Sequence, residues 1–555
     1  MAADPDSDIA SIIDQRRTWE TATVVGGRQM TPTEVANATD TLRGSSMSHR
    51  VVENSTRRSL NAWTFSMLAF CRRATIRSST KADRRRPAHG RARGAGARRN
   101  TLCYSPRGTE LDLSPHAVRR SAFLSILALA TLLRVVSLPL PGTEDVGTWR
   151  IWAYSASHDI TGVYGIGGHP PIRGVLHFGR FYTTVDYPPL ALYELAVVGG
   201  VYRAFDPAFT DDWHLTAGVK VPGLVAGAVL TALLYFTVLQ FTKRVDLARW
   251  AALAYWLNPA TVLNGEVLGY LDPLMMLPAV GALVALHARR PNAAGLLLAA
   301  ALLTKPQGAL MVPAVLLAAW HTGRWRTVAK ASATCAAGLI IGILPFVWVG
   351  ALPNMIQAFG SWAGRRDILS GYAANLWWVI TWLARAWNMI PEFGVPGAYL
   401  APVRRILAIS SYMDLGLPNP RPLGVALVAV TCAWACWCAR RASDLGLHAA
   451  LAAFVVQAFF VLGVSVHEHH MILAIPLLAL ASALRPAIRP IFVADSMICA
   501  LNMNLFYGIS PGFGWAVPRT ITPVDASVLL AFVNIGVLAW YARVLAREAA
   551  APAST

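Results

Sequence analysis

Polar and apolar positions fall along this chain in long blocks, without the period of two that a half-exposed strand requires. Runs such as Ala293 to Leu303 and Leu423 to Trp437 are apolar throughout. Apolar stretches of about 17–25 residues read as membrane-spanning helices. In lipid every backbone polar group must be paired within the protein, which favours helices over open strands, and a membrane barrel would show alternation. The first run covers 117–138. Others fall near 187–205, 218–241, 251–266, 273–288, 293–304, 306–320, 327–350, 372–390, 423–438, 446–465, 471–484, 490–508 and 524–542. The pattern predicts an all-α polytopic membrane protein with roughly 11–14 membrane helices.

Between the first two runs lies a polar stretch from Pro139 to Val185, dense in Gly, Pro, His and Tyr. It opens with the acidic pair Glu144-Asp145 and closes on Asp186-Tyr187-Pro188-Pro189-Leu190. Basic turns recur at Lys243-Arg244, Arg289-Arg290, Arg324 to Lys330, Arg440-Arg441 and Arg485 to Arg489. Basic loops favour the cytoplasmic side. With these turns inside, the tips carrying Gly269 to Pro273, Thr304 to Gln307 and His467 to His470 gather on the opposite side, together with a large first outer loop, 139–185. Residues 186–241 read as two spans where an odd number is needed.

Composition agrees. The chain is 55% hydrophobic and 14% charged, with mean hydropathy +0.44, whereas soluble domains carry roughly 25% charged residues. The net charge of +19 sits largely before residue 120 and in the short turns, so it points to membrane orientation and not to nucleic acid. Residues 1–115 are Arg-, Ser- and Thr-rich without hydrophobic periodicity, and are expected to be a disordered, basic segment able to touch anionic lipid. The membrane domain is expected over 116–548, with a short tail at 549–555. Cys432, Cys436 and Cys438 share one apolar run and read as packing residues.

Several residues have two readings. Asp145 is either a solvated loop residue or a general base for an acceptor hydroxyl, with Glu144 beside it. Lys305, one of five lysines in the chain, is either a snorkelling side chain or an ion held at membrane depth for function. Asp186, ahead of Tyr187-Pro188-Pro189, and Asp272, before Pro273, suit helix starts, or else contact substrate. Arg365-Arg366 is a surface pair or a phosphate clamp. His467-Glu468-His469-His470 lacks the His-Glu-x-x-His spacing of zinc proteases; a divalent metal there is the lesser reading beside an interfacial cluster.

The strings carry a resemblance. An acidic residue after the first helix, a Trp-rich stretch (Trp149, Trp152), Gly162-Val163-Tyr164 and DYPPLALYELAVVGG look like the GT-C glycosyltransferases, nearest to those using polyprenyl- or dolichyl-phosphate glucose or mannose. Asn258-Pro259 with Asn264, Gly269 and Asp272 is similar to the family's Asn-Pro and Gly-x-x-Asp region, with Tyr270 in place of Gln. Leu303-Thr304-Lys305-Pro306-Gln307, the segment 370–378 and Val466-His467-Glu468 resemble three further motifs, with His469 in place of a basic residue. The likeness spans about 115–485.

The resemblance implies a GT-C-like bundle and an inverting transfer of one hexose, mannose or glucose, from a polyprenyl-phosphate sugar to a glycan or glycolipid acceptor. It implies Asp145 as base, with Glu144 the fallback. Lys305 and His467, with Arg365 and Arg366, are expected at the donor phosphate. Asp186, Tyr187, Asp272, Gln307 and Glu468 are expected to bind substrate or to support the site. No cofactor is expected, and the expected setting is a bacterial inner membrane with the site on the non-cytoplasmic face. Two alternatives stay open: a polytopic transporter or flippase, which would show internal repeats and paired broken helices, and a GT-C relative that ligates or polymerises whole glycans.

Overall fold

The computed structural model describes residues 120–165, 175–179, 181–364, 367–392, 411–441, 443–509 and 515–550. The N-terminal segment 1–115 and the pair Arg365-Arg366 lie outside them. The chain is an all-α polytopic membrane protein. Its helices are α1 (Arg120–Ser137), α2 (Glu144–His158), α3 (Pro189–Phe205), α4 (Trp213–Thr242), α5 (Val245–Trp256), the short α6 (Pro259–Val262), α7 (Asp272–His287) and α8 (Pro291–Thr304). Then come α9 (Val312–Trp348), α10 (Leu352–Gly364), α11 (Leu376–Glu392), α12 (Arg421–Ala439), α13 (Leu445–Leu462), α14 (Ala474–Leu484), α15 (Arg489–Tyr507) and α16 (Ala526–Ala550). The described strands are short. β1 (Val175–Phe178) and β2 (Phe181–Thr184) form a hairpin, while β3 (Ser370–Gly371) pairs in parallel with β4 (Val466–His467).

Among the described residues, seven helical segments are long and apolar enough to cross a membrane. One of them, Pro306–Trp348, is bent back on itself at Gly323 and Arg324, where Arg324 has φ 53°. Residues 306–320 and 327–350 are therefore separate arms, as the apolar pattern predicts. Three apolar helices are shorter, α7, α8 and α14. At 16, 14 and 11 residues they are about 24, 21 and 17 Å long, against a hydrocarbon thickness of about 30 Å. Each stops early at the same end of the bundle, so that end is recessed.

Burial separates an inner from an outer layer. The α13 segment is 89% buried while α1 and α12 are 17% buried. This follows from sequence: α13 is apolar all round, as a helix surrounded by protein must be. Asp444 caps α13 by accepting from the Leu447 amide, and Asp212 caps α4 by accepting from His214 and Leu215.

The basic turns meet at the end opposite the recess. Three histidines link them: His287 Nε2 lies 2.9 Å from His448 Nδ1, and His448 Nε2 lies 2.9 Å from His321 Nδ1. His321 Nε2 then reaches the Arg440 carbonyl at 2.9 Å. Arg485 pairs with Asp444 at 2.7 Å and with Glu548 at 2.9 Å.

Two expectations change. The stretch 139–185 contains α2, a 3₁₀ turn at Gly162–Tyr164 and the β1–β2 hairpin. The apolar run near 187–205 is not a crossing. α3 packs chiefly on α2, and at Gly199 a Cβ would lie 2.1 Å from the Ala153 carbonyl oxygen. Lys220, seven residues into α4, contacts Leu140 and Val267 at the recessed end. From Lys220 to Thr242 is about 33 Å of helix, one membrane thickness. α1 and α4 are thus successive crossings, with α2 and α3 both at the recessed end, and the parity conflict disappears.

The crossing after α4 is broken. α5 ends at Trp256, α6 follows, and Leu263–Val267 forms a π-helical turn. Arg134 of α1 answers the break: its Nε and Nη2 donate to the Trp256 carbonyl at 3.1 and 2.9 Å, Nη2 donates to Thr261 at 2.7 Å, and Nη1 pairs with Glu266 at 2.5 Å. Removing one member of a buried ion pair costs about 3–5 kcal/mol because the other charge is stranded. Arg134→Met should therefore strongly lower the melting temperature in detergent, and adding Glu266→Leu should recover part of the loss. A single variant melting like wild type would contradict this account.

Candidate functional site

The recessed end holds a cavity of about 1050 Å³. Its first wall is the start of α2. After α1 the chain turns at Gly142, with φ +74°, and the Thr143 amide donates to the Leu268 carbonyl at 2.9 Å. Opposite, Gly269 has φ +80° and its carbonyl accepts from Trp149 Nε1 at 3.0 Å. A Cβ on Gly142 would lie 2.5 Å from Val146 Cγ2 and 2.7 Å from the Leu268 oxygen; one on Gly269 would lie 2.4 Å from Val146 Cγ2. Only glycine permits this closure. It sets Glu144 and Asp145 in the first turn of α2, where the helix dipole favours a carboxylate. Asp145 is half-buried and Glu144 exposed.

The segment Asp186 to Leu190 closes the same wall. Tyr187 packs edge-on against Trp149 and Trp152, at centroid distances of 5.0 and 5.5 Å. Its carbonyl accepts from the Tyr164 hydroxyl at 2.6 Å. The cap position of α3 is Pro188, with no side-chain cap, so Asp186 is not the N-cap the sequence suggests. It lines the cavity instead.

The floor is an ionic network. Lys305 Nζ lies 2.6 Å from Asp272 Oδ1 and 3.2 Å from His469 Nε2. Asn264 Nδ2 donates to Asp272 Oδ2 at 3.1 Å. Asp272 starts α7 without capping it; it is the counter-ion of Lys305 and lies beneath the cavity, fully buried. His469 Nδ1 donates to Glu468 Oε1 at 3.0 Å, since a carboxylate only accepts. In the neutral ring Nε2 then accepts from Lys305. Tyr270 donates to Glu468 Oε1 at 2.6 Å, and His467 Nδ1 stands 3.8 Å from Glu468 Oε2. Burial pushes the Glu468 carboxyl up, but its contacts with His467 and His469 outweigh this and hold it well below the ordinary carboxylate range.

One cavity thus brings together Glu144, Asp145, Asp186, Tyr187, Lys305, Gln307, His467 and Glu468. Asp272 belongs to the layer below. Lys305, expected as a phosphate contact, already has a carboxylate partner. Sequence reasoning did not single out Tyr372, Tyr507 or Arg519, which also line the cavity, and it treated Tyr270 only as a departure from a motif. Arg519 pairs with Asp525 at 3.3 Å and covers the Phe506 ring at 4.8 Å. Two supporting cations, Arg134 and Lys220, were also missed. Their signal was present, because an ionisable residue inside an apolar span is rare and costly.

No family model matches the chain, and no curated protein matches it in sequence. Among solved structures it is similar to the archaeal oligosaccharyltransferase AglB from Archaeoglobus fulgidus, in complex with an inhibitory peptide and a dolichol-phosphate. The identity is 12% and the TM-score 0.36, over 78% of this chain and 56% of that one. The chain spans little more than half of that enzyme's length, and a likeness of this degree carries no argument about its chemistry.

The network makes stability depend on pH in a defined sense. A carboxyl held below its unfolded value stabilises the fold fully above about pH 4.3, and that contribution fades as pH falls through the folded value. The gap in melting temperature between wild type and Glu468→Gln should therefore narrow as pH falls below about 4.3. Melts from about pH 5 downward check it; a gap that widens below about pH 4.3 contradicts the assignment.

Proposed function

We propose that this chain is a GT-C-type glycosyltransferase. It moves a single hexose, mannose or glucose, from a polyprenyl-phosphate donor to a glycan or glycolipid acceptor, with inversion at the anomeric carbon. The observation that carries the reading is the shared cavity: a half-buried carboxylate, Asp145, on one wall, and a floor of Lys305 and histidines, at the recessed end of a membrane bundle. The motif resemblance supports it independently, since its separate strings supply the residues of that cavity.

In the proposed reaction Asp145 takes the proton of the acceptor hydroxyl as its oxygen attacks the anomeric carbon. The carbon–oxygen bond to the lipid phosphate breaks on the opposite face, and its electron pair stays with the phosphate. Lys305 spends two of its three N–H groups on Asp272 and His469, which leaves one for a phosphate oxygen. His467, half-buried beside Glu468, is the second donor. Preorganised donors in a site shielded from water stabilise a leaving anion far better than they would in water. The reaction written this way requires neither nucleotide nor metal. With the basic turns cytoplasmic, the cavity opens on the non-cytoplasmic face, in a bacterial inner membrane on this reading.

Asp145→Asn should reduce hexose transfer by about 10²–10⁴-fold, the usual contribution of a positioned base, while Glu144→Gln, at an exposed position, should cost far less. The measurement is release of polyprenyl phosphate from mannosyl and glucosyl donors by protein reconstituted in nanodiscs. Full activity in Asp145→Asn would sink the mechanism. Sugar flux across vesicles without transfer would favour the transporter reading.

A further inference from the structure

We propose that a groove between α1, α4 and α5 binds one anionic phospholipid, from the leaflet on the side of the basic turns. The groove is separate from the cavity at the recessed end, and the proposal does not depend on the transferase reading. It begins with how α1 is held. The buried residues of α1 are Ala130, Arg134 and Ser137, all in the half nearer the recess. The other half, 120–129, has none. Beside that half lies the groove, of about 250 Å³.

Its lining calls for an alkyl chain. Phe123 and Leu127 of α1 stand on one side, Ala232 and Tyr235 of α4 on the other, and Trp256 of α5 at the inner end. The Phe123 and Tyr235 rings stack, with centroids 6.1 Å apart and 29° between them. The polar groups of the lining threonines and Trp256 are spent within the protein. Trp256 Nε1 donates to Thr131 Oγ1 at 3.1 Å, while Thr131 donates to the Leu127 carbonyl and Thr231 to the Gly227 carbonyl, both at 2.8 Å. Lining atoms of this kind gain dispersion contacts only when an apolar chain lies against them. From Phe123 to Thr131 is about 12 Å of helix. One leaflet contributes about 15 Å of a hydrocarbon core about 30 Å thick, so the groove suits one acyl chain from one leaflet.

The mouth supplies the charge. Residues three or four apart share a helix face. Arg120 therefore stands one turn before Phe123 on α1, and Arg249 one turn before Ala252 on α5, both on the lining face. Lys243 ends α4, two turns beyond Tyr235. The Arg249 guanidinium lies over the Phe123 ring, 5.7 Å from its centroid, which sets it at the mouth. Its five N–H groups form a fork that suits a phosphate. Asp246, the acid of that turn, is paired with Arg244 at 2.6 Å. Three helices thus each finish an apolar stripe with a cation at the same end. That arrangement complements an acyl chain with a net negative headgroup, whereas a zwitterionic headgroup would bring a cation of its own against these three. A lipid whose phosphate sat in the recessed cavity would present it at the opposite end of α1, so the occupant is a phospholipid of the bilayer.

The test uses the full chain, delipidated in detergent and given equal amounts of dioleoyl phosphatidylglycerol and dioleoyl phosphatidylcholine, with retained lipid read by native mass spectrometry. Wild type should retain one phosphatidylglycerol in preference. Arg249→Gln should lower the phosphatidylglycerol-to-phosphatidylcholine ratio about fivefold, the effect of about 1 kcal/mol for one basic residue near an anionic surface. Ala232→Trp, which fills the groove from an exposed position, should abolish the preferred lipid. Arg441→Gln, exposed beyond the end of α12, should change neither. If Ala232→Trp does not fold, Arg249→Gln carries the test. Equal retention of the two lipids by wild type, or an unchanged ratio in Arg249→Gln, overturns the proposal. So does complete displacement of phosphatidylglycerol by farnesyl phosphate at equal concentration, which would make the groove an isoprenoid site.

Discussion

The site rests on two buried cations that hold a broken helix. Where α5 stops and the chain continues through α6 and a π turn, backbone carbonyls lose their regular partners inside the membrane, where no bulk water can replace them. Arg134 takes the Trp256 carbonyl, and Lys220 takes those of Leu140, Glu266 and Val267 at 2.6, 3.0 and 3.2 Å. Neither cation is tolerable alone, since a desolvated charge costs several kcal/mol before its contacts are counted. Neither is alone: Glu266 pairs with Arg134, and three carbonyl dipoles surround Lys220. The break and the charges require each other. Together they fix the height of Leu268 and Gly269, against which Thr143 and Trp149 close. The position of Asp145 is therefore inherited from an interaction that makes no contact with the cavity.

The same device recurs one layer up. Lys305 ends α8 and Asp272 begins α7, so two short helices meet at a buried ion pair just under the cavity. Had either helix run the full membrane thickness, the pair would have sat at the bundle surface, screened and weak. The recess, the short helices and the strength of the pair are one fact seen three ways. His469 extends the pair to Glu468, whose other oxygen faces His467 at 3.8 Å.

This explains which parts of the molecule the sequence makes legible. The spans are readable because lipid demands long apolar runs, and the hairpin order follows from the basic turns. The polar tips at 269–273, 304–307 and 467–470 are readable as one group for the same reason. The run 187–205 misleads because an apolar helix packed on α2 has the same composition as one packed in lipid; length and hydropathy cannot tell them apart. Asp186 suggests a cap because Asp suits an N-cap and Pro a first helical turn, yet the Tyr187 ring is committed to Trp149 and Trp152, and the helix starts later, with Pro188 at its cap position. Arg134, Lys220 and Glu266 were passed over as single charges in apolar text. Their meaning lies in pairings more than 40 residues apart, which no local pattern encodes.

The layout also sets the carboxylates and the basic side chains of one cavity on different elements. Asp145 and Glu144 are carried by α2 and Asp186 by the approach to α3, all on the wall built from the first loop. Lys305, His467 and His469 belong to the floor, built from helix ends of the bundle. Lys305 is already answered by Asp272, and His469 donates to Glu468, in tight, buried contacts. Glu144 and Asp145 thus gain little by collapsing onto Lys305 and would lose hydration by doing so. The cavity carries its carboxylates on the wall and its lysine and histidines on the floor. On the proposed reaction this is the polarity a displacement needs: a base where the nucleophile enters, and donors where the phosphate leaves. The internal counter-ions of the floor are what keep the two sides apart.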